Sequence, residues 1–262
     1  MKFSAYIVLL LCLSSCSFDR APIDPDDNGA EPGVVDVDSL LLTELPESDR
    51  VVGFWPMEGD WLDHSHSDFH GTAMGGIGFS TAGKSLERQA ALFDGVDDYL
   101  EFGDNLDLLG DDFTLSAWIR VGARDDTPHH HSIVDKLRSG GNFRMILTRN
   151  GRYTFGLSND VGDYQQFASD KVFVEAKWVH FMVVFEKDIG VKMYLNGSLD
   201  SSRGPFPIMR GDTSTPLRIG HSDNNDVFFK GEIDDVAIWD KGLQSDAVLE
   251  IYTVQGRYFD QE

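Results

Sequence analysis

The sequence predicts an all-β fold, a sandwich or a barrel, with one short helix near its C-terminus. Three observations carry that expectation. From Val51 onward, short apolar segments alternate with Gly, Asn and Asp turns at close spacing, the layout of an antiparallel fold with tight connections. Within those segments apolar residues recur at every second position, which is the pleat of a half-buried strand. Helical periodicity with matching end signals occurs once, after Ser245.

In chain order the elements begin with a leader. Lys2 precedes the apolar run Tyr6-Ile7-Val8-Leu9-Leu10-Leu11, which has the layout of a secretory signal over residues 1–15 and is too short for a stable membrane span. Leu13-Ser14-Ser15-Cys16 then resembles the bacterial lipobox, in which small residues admit a peptidase and the cysteine sulfur takes a diacylglyceryl group. The resemblance implies Cys16 as the lipid-carrying first residue of the mature chain; the alternative is an ordinary signal peptide with an incidental cysteine beside it. A tri-acylated terminus holds a membrane far better than one acyl chain does. Ser17, rather than Asp, at the next position implies a bacterial outer-membrane location, with the domain facing the periplasm or the surface.

Residues 16–49 read as an acidic tether. Pro22, Pro25, Asp24 to Gly29 and Glu31-Pro32-Gly33 leave too little apolar surface to offset the entropy of ordering the chain. About thirty such residues reach roughly 30 Å, and Leu40-Leu41-Leu42 is an apolar patch placed to dock on the edge of the domain. Residues 50–262 then form one domain. Cys12 falls in the removed segment and Cys16 is acylated, so the exported chain has no disulfide to form. A domain this long buries about 70% of its unfolded surface and needs no such staple.

The clearest strand is Phe113 to Val121, with Phe113, Leu115, Ala117, Ile119 and Val121 on one face and Thr114, Ser116, Trp118 and Arg120 on the other. Phe143 to Leu147, Tyr153 to Leu157, Trp178 to Phe185 and Leu217 to Gly220 are similar. Val191 to Leu195 runs into Asn196-Gly197, a pair that tolerates positive φ at both positions and so predicts a tight hairpin. The helix covers Asp246 to Tyr252, with Ser245 as its cap, Asp246 at the positive end of the dipole and Gly256 as its stop.

Four blocks together resemble the laminin-G-like or concanavalin A-like jelly-roll superfamily, over Val51 to Tyr252. They are Gly53 to Gly59 followed by Asp63-x-Ser65; Ala91 to Leu100; Phe113 to Trp118; and Trp178-Val179-His180 through Tyr194 to Gly197 and Leu217 to Gly220 to Phe229 through Trp239. The resemblance implies a two-sheet antiparallel jelly-roll sandwich with ligand loops at one rim. It departs from the pattern at His66, where the first block usually carries glycine.

The same resemblance implies a structural calcium ion, with Asp234 at the start of the last strand as the ligand position; one carboxylate with carbonyls and water suffices for this ion. Asp63 is a second candidate. The alternative is that Asp234 satisfies local backbone donors and Asp63 caps a turn. His64, His66 and His70, like His129-His130-His131, are loose metal candidates read as solvated loops.

Charge bounds the partners. There are 44 acidic against 22 basic residues, and loss of Lys2 takes the formal charge from −22 to −23, which argues against nucleic acid. An enzyme reading rests on Glu232-Ile233-Asp234, the start of a glucanase-type carboxylate string. Retaining glycosidases need two carboxyls about 5 Å apart, and the string ends at Val236-Ala237. The chain therefore reads as a non-enzyme that binds a glycan or a glycosylated surface partner; a protein-binding or structural module and a cryptic glycoside-active enzyme are the alternatives. A sugar needs an aromatic platform with polar groups. Trp118 with Arg120 has that composition if its face is open, or else Trp118 is core packing; Tyr164 and Phe228 on rim loops are the other ligand-binding candidates.

Overall fold

In the computed structural model the described residues are 42–81, 88–108, 111–122, 130–137, 142–158, 164–205, 214–223 and 226–259. The expected signal peptide, Cys16 and the tether as far as residue 41 lie outside them. Two antiparallel sheets face each other. The first has eight strands in the order β13 (Ser198–Arg203), β12 (Gly190–Leu195), β11 (Trp178–Glu186), β6 (Phe113–Val121), β17 (Lys230–Trp239), β4 (Gln89–Asp94) and β3 (Gly78–Thr81), with β1 (Val51–Trp55) also paired to β17. The second has seven: β10 (Tyr164–Val172), β9 (Arg152–Ser158), β8 (Asn142–Leu147), β7 (His131–Asp135), β14 (Arg218–Ile219), β5 (Tyr99–Glu101) and β2 (Thr72–Met74). A two-stranded ribbon, β15 (His221–Ser222) and β16 (Val227–Phe228), sits beside it.

The expected inward face of β6 is the observed one: Phe113, Leu115, Ala117, Ile119 and Val121 all join the main core. From the second sheet, the cross-strand row Leu100, Ile219, Val134, Met145, Phe155 and Phe167 meets them. Side chains alternate along a strand, so the adjacent row must point outward. The Asn196-Gly197 turn has φ of 51° and 71°, the two positive values a tight hairpin requires.

The outer face of the first sheet is covered. Met182, Val184, Tyr194, Ala237 and Trp239 lie on that side and are buried with Leu45, Leu243, and Val248 and Ile251 of the helix α1 (Ser245–Gly256). A sheet with apolar residues on both faces needs a second cover, and α1 together with residues 42–50 provides it. Trp239 Nε1 donates to the Pro46 carbonyl at 3.2 Å. The packed domain thus reaches back to Leu42, and the last residues expected in the tether belong to it. Ser245 is not the helix cap: Gln244 occupies that position, its carbonyl accepting from Val248 N at 3.0 Å, and Ser245 is already helical. Among the described residues no helix is long and apolar enough to cross a membrane.

Candidate functional site

Trp118 is fully buried. Its ring stacks on Phe259 at 4.2 Å, His180 at 5.1 Å and Tyr252 at 5.7 Å, and its indole N–H donates to Gln255 Oε1 at 3.2 Å. The face on which it was expected to meet a ligand is closed by α1 and the tail behind it, so Trp118 is packing. Beneath it, burial pulls the His180 imidazole down to about 3, and Ser116 Oγ lies 2.6 Å from His180 Nε2. Arg120 is engaged with Glu232 through two guanidinium nitrogens and lies 5.3 Å over the Trp178 ring. Glu232 also accepts from Ser80 Oγ at 2.8 Å. With Glu232 in an ion pair and Asp234 wholly buried, the start of the carboxylate string offers no poised acid or nucleophile.

Asp63 is saturated without a metal. Oδ1 accepts from Phe54 N and Ser65 N, and Oδ2 from Ser65 Oγ and Phe69 N, each at 2.9 Å. The carboxylate ties the loop to β1, the turn-capping alternative. The loop has no need of glycine at His66, because its positive φ falls on Asp68, at 56°. His66 and His70 are exposed, as expected of a solvated loop, and His70 Nδ1 accepts from Asp63 N at 3.1 Å. His131 opens β7 and accepts from Lys230 N at 3.2 Å. His129 is outside the described residues.

At Asp234 a cation is already present, and it belongs to the chain. Arg88 Nη2 is 2.9 Å from Asp235 Oδ1 and 3.9 Å from Asp234 Oδ2, and Arg88 Nε is 2.5 Å from Glu58 Oε1. Burial opposes the charge on Arg88, but the carboxylates of Asp235, Asp234 and Glu58 outweigh it and raise its pKa. Burial raises Asp234 and Asp235 as well. These oxygens converge on a guanidinium, so a calcium ion does not fit here unless Arg88 leaves. Among the described residues the one group of three carboxylates with mutual reach is Asp94, Asp97 and Asp98. There, both Asp98 oxygens accept backbone N–H groups, from Gly76 at 2.6 Å and Asp94 at 2.9 Å, and Asp94 Oδ1 accepts from Val96 N at 2.7 Å, which accounts for these two as turn formers.

Among the described residues no helix covers the outer side of the second sheet, which is therefore its open face there. One cross-strand row crosses all seven strands: Thr72, Glu101, Arg218, Asp135, Arg144, Gly156 and Gln166. At the usual strand spacing of about 4.8 Å it is roughly 29 Å long. Arg218 pairs with Glu101 at 2.8 Å and Asp223 at 2.5 Å and lies 5.6 Å over the Tyr99 ring. Tyr99 is 4.9 Å from His221, which stacks on Phe228 at 4.3 Å. Farther along, Arg144 Nε donates to Tyr164 Oη at 2.9 Å, the guanidinium lies 4.8 Å over the Tyr164 ring, and that hydroxyl donates to Gln166 Oε1 at 2.8 Å. Gly156 makes room for this: a Cβ there would stand 2.3 Å from the Tyr164 hydroxyl. Asp135 sits in the middle of the row, 4% exposed. Burial pushes its carboxyl up to about 7, against hydrogen bonds from Ser222 and from Leu137 N.

Of the expected ligand residues, the structure therefore places Tyr164 and Phe228 on the open face and Trp118 and Arg120 on the covered one. Tyr99, Asp135, Arg144, Arg218 and His221 were not singled out in the sequence. The available signal was a charged residue at the outward position of an apolar strand, as Arg144 is within Phe143 to Leu147.

Together, a two-sheet sandwich with one covered face and one open, aromatic and charged face defines a jelly-roll domain. The chain belongs to the concanavalin A-like lectin/glucanases superfamily: the Laminin_G_3 family model matches residues 94–249, more than half of the chain. Solved structures of similar fold include the binding domain of Paraclostridial Mosquitocidal Protein 1 (TM-score 0.64, 17% identity, 78% of this chain and 52% of that one). Domain 4 of AbnA, an extracellular arabinanase from Geobacillus stearothermophilus solved with arabinotriose, is another (TM-score 0.62, 18% identity, 78% of this chain and 98% of that one). A curated relative is the adhesion G-protein coupled receptor V1 of Danio rerio, 26% identical over 151 residues. The match covers 53% of this chain but 2% of the receptor.

Proposed function

We propose that the protein is a lipid-anchored, extracytoplasmic binding module without catalytic activity, and that it holds a carbohydrate or a glycosylated surface partner on the outer face of its second sheet. The observation that carries this reading is the row of polar groups flanked by Tyr99, His221, Phe228 and Tyr164, on a large sheet face that no helix among the described residues covers. Aromatic rings meet the C–H faces of a sugar and the fixed polar groups meet its hydroxyls. The arabinanase domain, solved with an arabino-oligosaccharide, and the toxin binding domain agree with a binding role. The receptor relative favours a second reading, in which the same face captures a protein.

Two arms test the proposal. On a glycan array the purified protein is expected to retain a polysaccharide, with Tyr99→Ala and Phe228→Ala each weakening retention about tenfold or more and Trp118→Phe leaving it within about twofold. Binding lost equally in Trp118→Phe would point away from the open face, and capture of one protein with no glycan signal would favour the second reading. For the anchor, Cys16→Ala is expected to move the protein from the membrane to the soluble fraction; an unchanged distribution would refute lipidation at Cys16.

A further inference from the structure

The two cations of the open row are not equivalent. Arg218 is neutralised twice, by Glu101 and Asp223. Arg144, half-buried, makes its contacts with Tyr164, a neutral partner, and no carboxylate among the described residues lies within ion-pair distance of it. The acid directly across the strand, Asp135, is withdrawn from solvent, and burial holds its proton up to about pH 7. Around Arg144 the chain as a whole carries −22, a field that repels anions. A guanidinium that forms no ion pair among the described residues, its acidic neighbour there being the buried Asp135, is an arrangement that an incoming carboxylate completes, with two parallel N–H···O bonds as the favoured geometry.

We propose that the ligand of this face is an acidic glycan, one whose sugar bears a carboxylate, with Arg144 as the residue that receives the carboxylate and Tyr164 as the adjoining ring platform. This rests on the glycan reading above and narrows it. Tyr164 serves both partners: its ring lies under the guanidinium and its hydroxyl fixes the direction of Arg144 Nε. Gly156 is the positioning residue, because its missing side chain lets Tyr164 lie flat across β9. Uronic and sialic acids share the chemistry recognised, and the probes separate them.

The test compares the purified full-length protein with polygalacturonate, the same polymer methyl-esterified, a sialylated oligosaccharide, and neutral arabinan. Binding to an acidic probe is expected to exceed binding to its neutral counterpart at least tenfold and to weaken with added salt. Polygalacturonate identifies a uronate and the sialylated probe a sialate. Arg144→Gln is expected to remove the preference for acid, Arg144→Lys to keep part of it, and Gly156→Ala to reduce affinity with the circular dichroism spectrum unchanged. Equal affinity for ester and acid, or an Arg144→Gln variant that still prefers acid, would overturn the acidic ligand and leave the glycan reading standing. Failure to bind any of the four probes, with protein capture instead, would overturn both.

Discussion

At the scale of single residues, burial sets the chemistry of two groups in opposite senses. Asp135 holds its proton up to about pH 7 in the folded chain, whereas the unfolded chain releases it near 4, so stability falls as pH rises through that window. His180 resists protonation until about pH 3, whereas the unfolded chain takes up a proton near 6.5, so stability falls as pH drops through that window. The two slopes oppose each other between roughly pH 4 and 6.5, each worth up to about 4–5 kcal/mol over its full range. Asp135→Asn, which keeps an acceptor for Leu137 N, is expected to steepen the rise of Tm with pH there. His180→Gln is expected to reverse it. Single variants with the slope of the parent, measured by thermal melts across that range, would show that neither group is buried as described. Residue chemistry of this kind was not legible in the sequence: Asp135 reads as one more acid among 44, and His180 as an ordinary strand residue.

Among the elements, α1 and the residues that follow it cover the outer face of the first sheet. Phe259 is 2% exposed and lies against both Trp118 and Trp178. Phe259→Ala is expected to cost about 3–5 kcal/mol, the range for a buried phenylalanine, and to shift tryptophan emission to the red as water reaches the two indoles. A melt and an emission maximum both unchanged would mean that the tail does not seal this face. Strand periodicity named the inward residues of β6 correctly, because the pleat is a local property. The same periodicity labelled Thr114, Ser116 and Trp118 as an outward face, which they are, and could not report that an element more than a hundred residues later lies over it.

For the molecule as a whole, the question is what stabilises a fold whose described residues include no cysteine. Two buried cations do part of that work. Arg88 neutralises Glu58, Asp234 and Asp235, while Lys136, fully buried, reaches Asp104 at 3.0 Å, Asp107 at 3.1 Å and the Thr215 carbonyl at 2.8 Å. Removing one partner of a buried ionic group costs about 3–5 kcal/mol. With Arg88 in place, EDTA and added calcium are expected to leave the melt unchanged, and Arg88→Met is expected to lower Tm by about 10 °C. A calcium-dependent rise in the melt of the unmutated protein would place an ion where we place the guanidinium.

By itself the sequence determined the sandwich, its hairpin, the inward face of β6 and the superfamily, because each is written in short-range periodicity, turn chemistry and ordered blocks of residues. It also brought Tyr164 and Phe228 to notice as loop aromatics. Only the tertiary structure decided that Trp118 is packing, that Arg88 occupies the place expected for calcium, and that Glu101, Arg218, Asp135, Arg144 and Gln166 form one row. Those facts depend on which strands become neighbours and what covers them. Such pairings join residues far apart in the chain, and no local pattern encodes them.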